Sequence, residues 1–151
     1  MFERILVPVD GSKHARCAVE TAIELALCHG SSVFLLHVIR DLSLPREILS
    51  MIQAGEVTAS RKEILQDSAE IILGNAQEKF EAAGIQGVAS EYVLGDPASK
   101  ILEYAERHDV DLLIIGHRGL GPSEGLLGGV ARKIVNRTQV SCLIATCVLD
   151  R

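Results

Sequence analysis

"RILVPVDGSKHARCAVETAIELALCHGSSVFLLHV", residues 4–38, holds two aliphatic runs with one amphipathic run between them, and that triplet decides the fold. Arg4 to Val9 and Ser32 to Val38 are short, rich in Ile, Leu and Val, and bounded by Asp, Gly and Ser, as strands are. Between them, Ser12 is placed to cap a helix carrying Ala15, Ala18, Ala22, Leu25 and Ala26 on one face, and Gly30 to close it. The runs are continuous rather than alternating, which suits strands covered on both faces. Strand, helix and strand of that kind make a parallel βαβ unit.

The rhythm continues along the chain. Val88 to Leu94, Leu112 to Ile115 and Ser141 to Leu149 read as three more strands. A helix from about Ser60 to Ala83 carries Leu65, Ala69, Ile72, Ala76, Phe80 and Ala83 at helical spacing and stops at Gly84. Asp96-Pro97 is a cap and first-turn pair for a third helix, with Ile101, Leu102 and Ala105 inward. A fourth begins near Gly129 and runs through Ile134 and Val135 to about Thr138. These elements predict an α/β fold, a single domain over 1–151 with a doubly wound parallel sheet of five strands. Only residues 40–59 break the pattern, with a turn or two of helix around Arg46 to Gln53; that length suits a loop covering a site or touching a partner.

Composition narrows the function. Aromatics make up 3% of the 151 residues and Trp is absent, so the core is expected to be aliphatic. A net charge of -5 argues against nucleic acid or an anionic membrane as the main partner. No apolar run approaches a membrane span and no signal region opens the chain, so a cytoplasmic location is expected. Cys17, Cys28, Cys142 and Cys147 contain no C-x-x-C pair and read as reduced, buried thiols of a cytosolic protein. The five histidines, His14, His29, His37, His108 and His117, have no zinc-like spacing, and a structural or solvated role is expected for each. No G-x-S-x-G singles out a nucleophile, so neither a metal nor a catalytic group is expected.

In an open α/β sheet, ligands bind beyond the carboxyl ends of the strands where the strand order reverses. If the fourth strand crosses back beside the first, two loops meet there. One is Pro8-Val9-Asp10-Gly11-Ser12, in which Asp10 either only shapes a capped turn or offers its carboxylate to a ribose hydroxyl or an adenine amino group. The other holds Gly116, Gly119, Gly121, Gly125, Gly128 and Gly129 within LLIIGHRGLGPSEGLLGGVARKIV, residues 112–135. Its spacing is not the dinucleotide GxGxxG and it lacks the P-loop's Gly-Lys-Ser/Thr, so Walker-type hydrolysis is not expected. What it offers is backbone freedom before a helix N-terminus, whose N–H groups and dipole favour phosphate, with His117 and Arg118 adding positive charge.

Taken together, ILVPVDGS, LLHV, GDPASKILEYAERHDVDLLIIGHRGLG and LLGGVARKIV, in that order, resemble the universal stress protein family over nearly the whole chain. The resemblance implies a Rossmann-like sheet of order 3-2-1-4-5, related to the adenine nucleotide alpha hydrolase fold. It also implies a homodimer through the last strand, Cys142 to Leu149. Members that bind ATP carry G-x2-G-x9-G-[S/T]. Gly116 and Gly119 match its first glycines, but either Gly128 or Gly129 stands third and Gly129 or Val130 replaces the hydroxyl residue. Losing one neutral hydrogen bond to phosphate weakens binding by about 0.5–1.5 kcal/mol, or roughly tenfold, without abolishing it.

Matched position by position, the family places adenine and ribose at Asp10 and the backbone of Val38, with Gly116 against the ribose. Pro8, Val9, Gly119, Gly128, Gly129 and Val130 line the phosphate path. The expected function is a regulatory module binding ATP or a related adenine nucleotide, with or without Mg²⁺, and hydrolysing it slowly or not at all. The alternative is a stress-related interaction dimer that binds no nucleotide; an enzyme on the same sheet is expected least, since such enzymes usually need a further domain or an acid and base for which these 151 residues leave no room.

Overall fold

Successive side chains of a strand point to opposite faces, so an aliphatic run with no polar member needs cover on both. The computed structural model, which describes residues 1–40, 54–55, 61–119 and 126–147, supplies that cover. The strands are β1 (Arg4–Pro8), β2 (Ser32–Ile39), β3 (Ala89–Leu94), β4 (Leu112–Gly116) and β5 (Ser141–Ala145). All pair in parallel in the order β3-β2-β1-β4-β5, which is the predicted arrangement.

Helices α1 (Lys13–His29) and α2 (Arg61–Ala82) cover one face, and α3 (Pro97–Arg107) and α4 (Gly129–Arg137) the other. Ile5, Val7, Leu112 and Ile114 point to the first pair and Leu6, Leu113 and Ile115 to the second. Phe80 and Ile134 are fully buried on their respective faces, Leu102 packs half-buried against the second, and Val135 is exposed. On α2 the buried stripe is Ala69, Leu73, Ala76 and Phe80; Ile72 and Leu65 flank it half-buried.

The ends form as the sequence predicts. Ser12 Oγ accepts the Ala15 N–H at 3.2 Å, and Gly30 closes α1 with φ 69°, a left-handed angle that suits glycine. Asp96 accepts the Ser99 N–H at 3.0 Å ahead of Pro97 in the first turn of α3. Strand β5 ends at Ala145 rather than Leu149; residues 148 and 149 lie outside the described residues, as does the helical turn expected around Arg46 to Gln53.

Candidate functional site

Strands one to three step one way from β1, and β4 and β5 step the other, so the switch point lies between the carboxyl ends of β1 and β4. The chain leaves β1 with Val9 N–H donating to Leu36 O at 2.8 Å, which holds the turn against β2. Asp10 Oδ1 then accepts the Ser12 N–H at 2.9 Å, and Gly11 takes φ 81°. This is the capped turn of the first reading. The second oxygen stays at the cleft: a Cβ on Gly119 would stand 2.7 Å from Asp10 Oδ2.

The loop after β4 is held at both ends. At Gly116 a Cβ would lie 2.7 Å from the carbonyl carbon of His14 and 3.0 Å from Ala15 N, so the missing side chain admits the first turn of α1. His117 N–H donates to Ala145 O at 2.9 Å, and Gly128 N–H to His117 O at 2.9 Å. Gly128 is the N-cap of α4 and has no side chain to cap it. The first helical bond runs from Arg132 N–H to Gly128 O at 2.9 Å, which leaves the N–H groups of Gly129, Val130 and Ala131 without helical partners. They form the positive end of a helix dipole beside the loop.

These segments enclose a cavity of about 820 Å³, within the range of small-molecule sites. Pro8, Val9 and Asp10 line it from the first loop and Val38 from β2. Gly116, Gly119, Gly128, Gly129 and Val130 line it from the second loop and α4, so the sequence-predicted residues come together in one place. Among the described residues Asp10, Arg40 and Arg118 are the charged members of the lining, a positive balance in a chain of net charge -5.

Sequence reasoning missed part of the wall. Leu65 and Ser68 from α2, Ile101 from α3 and Ile134 from α4 also line the cavity. Periodicity assigned Leu65 and Ile101 to the core and placed Ile134 only within the last helix; the path of the helices shows that this face opens on a cleft. His37 was expected to be structural or solvated; its Nδ1 lies 2.7 Å from Val9 O and it lines the cavity. A carbonyl can only accept, so Nδ1 is the donor in this contact.

The cysteine expectation is corrected. Cys17 and Cys147 are joined in a disulfide with Cα atoms 5.6 Å apart, and Cys28 is exposed rather than buried. A separation of 130 residues carries no local signal; β5 and α1 bring the pair together only in the fold. Cys142 is half-buried, and that burial pushes its thiol pKa up. Among the described residues no three His, Cys, Asp or Glu side chains gather as metal ligands, and no helix is long and apolar enough to cross a membrane.

The switch-point cleft and the sheet order define a doubly wound, Rossmann-like α/β protein with a ligand-sized site at its carboxyl edge. The chain belongs to the universal stress protein family, whose sequence profile matches residues 1–146. It is 32% identical to universal stress protein YxiE of Bacillus subtilis, over 95% of this chain and 99% of that one. Among solved structures, that of MJ0577, from Methanocaldococcus jannaschii, superposes with TM-score 0.77 at 29% identity, covering 96% of each chain. A universal stress protein in complex with cAMP shares the fold with TM-score 0.71 at 23% identity, covering 96% of this chain and 97% of that one. An Arabidopsis thaliana family protein with AMP bound does so with TM-score 0.67 at 20% identity, covering 98% and 94%.

Proposed function

We propose that this protein is a regulatory module that binds ATP or a related adenine nucleotide in the cleft between the loops after β1 and β4. The observation that carries the reading is convergence: two loops, the end of β2 and the uncapped N-terminus of α4 line one cavity of about 820 Å³. Apolar walls from Leu36, Ile39 and Ile115 suit a purine, the Asp10 carboxylate suits a hydroxyl or amino donor, and Gly128 to Val130 suit phosphate. The cAMP and AMP complexes of proteins with this fold support the adenine nucleotide as the ligand class. Mg²⁺, where it accompanies the nucleotide, is held by phosphates and water.

Turnover is slow or absent. Asp10 Oδ1 is engaged by the Ser12 N–H and His37 Nδ1 by Val9 O, so each group has one atom committed to backbone. The protein acts in the cytoplasm as a homodimer through β5, an edge strand whose Leu143 and Ile144 are half-buried. A second reading, an interaction dimer without nucleotide, draws on one observation: α4 lacks any side-chain cap where a hydroxyl residue stands in the ATP-binding motif.

Thermal melting with ATP, ADP, AMP and cAMP, each with and without Mg²⁺, separates the two. A nucleotide at about 100 times its Kd adds roughly 2.7 kcal/mol, which raises Tm by roughly 5–11 °C for a chain of this size. A shift following one nucleotide supports the first reading; a melt that none of them moves supports the second.

A further inference from the structure

We propose that Cys17 and Cys147 are a reversible thiol-oxidation site that takes a hydroperoxide as oxidant and, when closed, fixes the glycine loop beside the cleft. Cys17 lies in the second turn of α1, and Cys147 stands two residues beyond β5. Their Cα atoms are 5.6 Å apart, a span that a disulfide bridges without backbone movement.

The bond joins the two walls between which the loop leaves β4. On one side the His14 carbonyl carbon and Ala15 N sit where a Gly116 Cβ would be, one turn before Cys17. On the other, Ala145 O accepts the His117 N–H at 2.9 Å, two residues before Cys147. His117 O in turn accepts from Gly128 N–H, the N-cap of α4. Closing the disulfide therefore clamps a path that runs from α1 and β5 through residues 116 and 117 to the helix end in the cleft.

A permanent staple is not what this chain requires. Its sheet is covered on both faces by aliphatic core, whereas small cores are the ones that depend on disulfides. It also keeps an exposed unbonded thiol at Cys28 and a half-buried one at Cys142. Cys17 is half-buried and Cys147 only 7% exposed, so Cys17 is the thiol that meets an oxidant and Cys147 the one that resolves it. The Cys17 thiolate attacks the peroxide O–O bond, forming a sulfenic acid and releasing an alcohol, or water from H2O2. The Cys147 thiolate then attacks that sulfur, the S–S bond forms and water leaves. The peroxide takes up the two electrons that the sulfurs lose, and a low-molecular-weight thiol reverses the bond by exchange.

The test uses the full chain carrying Cys28→Ser and Cys142→Ser, reduced and then treated with stoichiometric H2O2. We expect both remaining thiols to disappear with a loss of two hydrogen masses, an intramolecular Cys17–Cys147 peptide by mass spectrometry, and full reversal by dithiothreitol. Tm should rise by roughly 5–15 °C. Amide exchange at 116–119 and 128–130 should slow by about tenfold on oxidation, and not at all when Cys147→Ser is added. Thiols that survive peroxide, a bond formed between chains, or an internal bond that leaves loop exchange unchanged would each overturn the proposal. None of these readouts involves a nucleotide, so they stand apart from the outcome of the melting experiment.

Discussion

Asp10 and Gly119 meet across the mouth of the cleft, so closely that a Cβ on Gly119 would stand 2.7 Å from Asp10 Oδ2. The carboxylate's other oxygen holds the Ser12 N–H at 2.9 Å. In Gly119→Ala either the carboxylate leaves this position or the loop shifts. Gly119 is exposed, so stability should change by less than about 1 kcal/mol. Affinity for the nucleotide should fall by about tenfold, equivalent to ~1.4 kcal/mol, and Asp10→Ala should weaken it as well. Isothermal titration of both variants checks this; wild-type affinity in Asp10→Ala would remove the carboxylate from the site.

Gly116 behaves differently because backbone stands in the way. Its Cβ would approach the His14 carbonyl carbon at 2.7 Å, the His14 oxygen at 2.9 Å and Ala15 N at 3.0 Å. Nothing there can rotate aside, so Gly116→Ala forces α1 away from β4. We expect a loss of about 1–3 kcal/mol and a Tm lower by roughly 3–10 °C without any ligand. An unaltered melt with weakened nucleotide binding would instead give Gly116 a role confined to the ribose.

Much of this was legible because hydrophobic period and caps agree. Ser12, Gly30, Asp96 and Pro97 bound their helices where the sequence places them, and continuous runs such as Leu112 to Ile115 suit strands buried on both faces, as they are. The candidate site was legible for a narrower reason: most of its residues sit on two loops whose Gly and Asp stand where a parallel sheet reverses its strand order, and the family resemblance names the positions. Its remaining walls were not, because Leu65, Ile101 and Ile134 obey the same period as any core residue. Long-range pairings left no trace either. Asp111 accepts the N–H groups of Glu3 and Arg4 at 2.8 and 3.1 Å, and neither this clamp nor the Cys17–Cys147 bond has a local pattern.

The missing hydroxyl at the start of α4 can be restored, and geometry says where. A Cβ on Gly129 meets nothing within 4 Å, whereas one on Gly128 would lie 3.3 Å from Arg118 Cα. Gly129→Ser should therefore fold as the parent does and gain affinity for ATP by about tenfold, the effect of one added hydrogen bond to phosphate. Gly128→Ser crowds the loop and should gain less. A gain in Gly128→Ser with none in Gly129→Ser would reverse the choice between the two ways of counting the motif.

Asp96 gives the fold a predictable response to acid. Its carboxylate caps α3, and the hydrogen bond from the Ser99 backbone, with smaller help from Lys133 and Arg137, holds its pKa below the ordinary 3.8. A depressed carboxylate contributes stability that is complete above the unfolded value and is lost as pH falls through the lower folded value. Asp96→Asn keeps an acceptor at the cap but removes the charge, so its Tm should lie below that of the parent near pH 7. The gap should close as pH drops below 3.8. Asp96→Ala removes the acceptor too and should keep part of its deficit in acid, where a protonated Asp96 still accepts through its carbonyl oxygen. Melts of the three proteins from pH 7 downward decide this: a gap for Asp96→Asn that does not depend on pH would mean the charge contributes nothing to the cap.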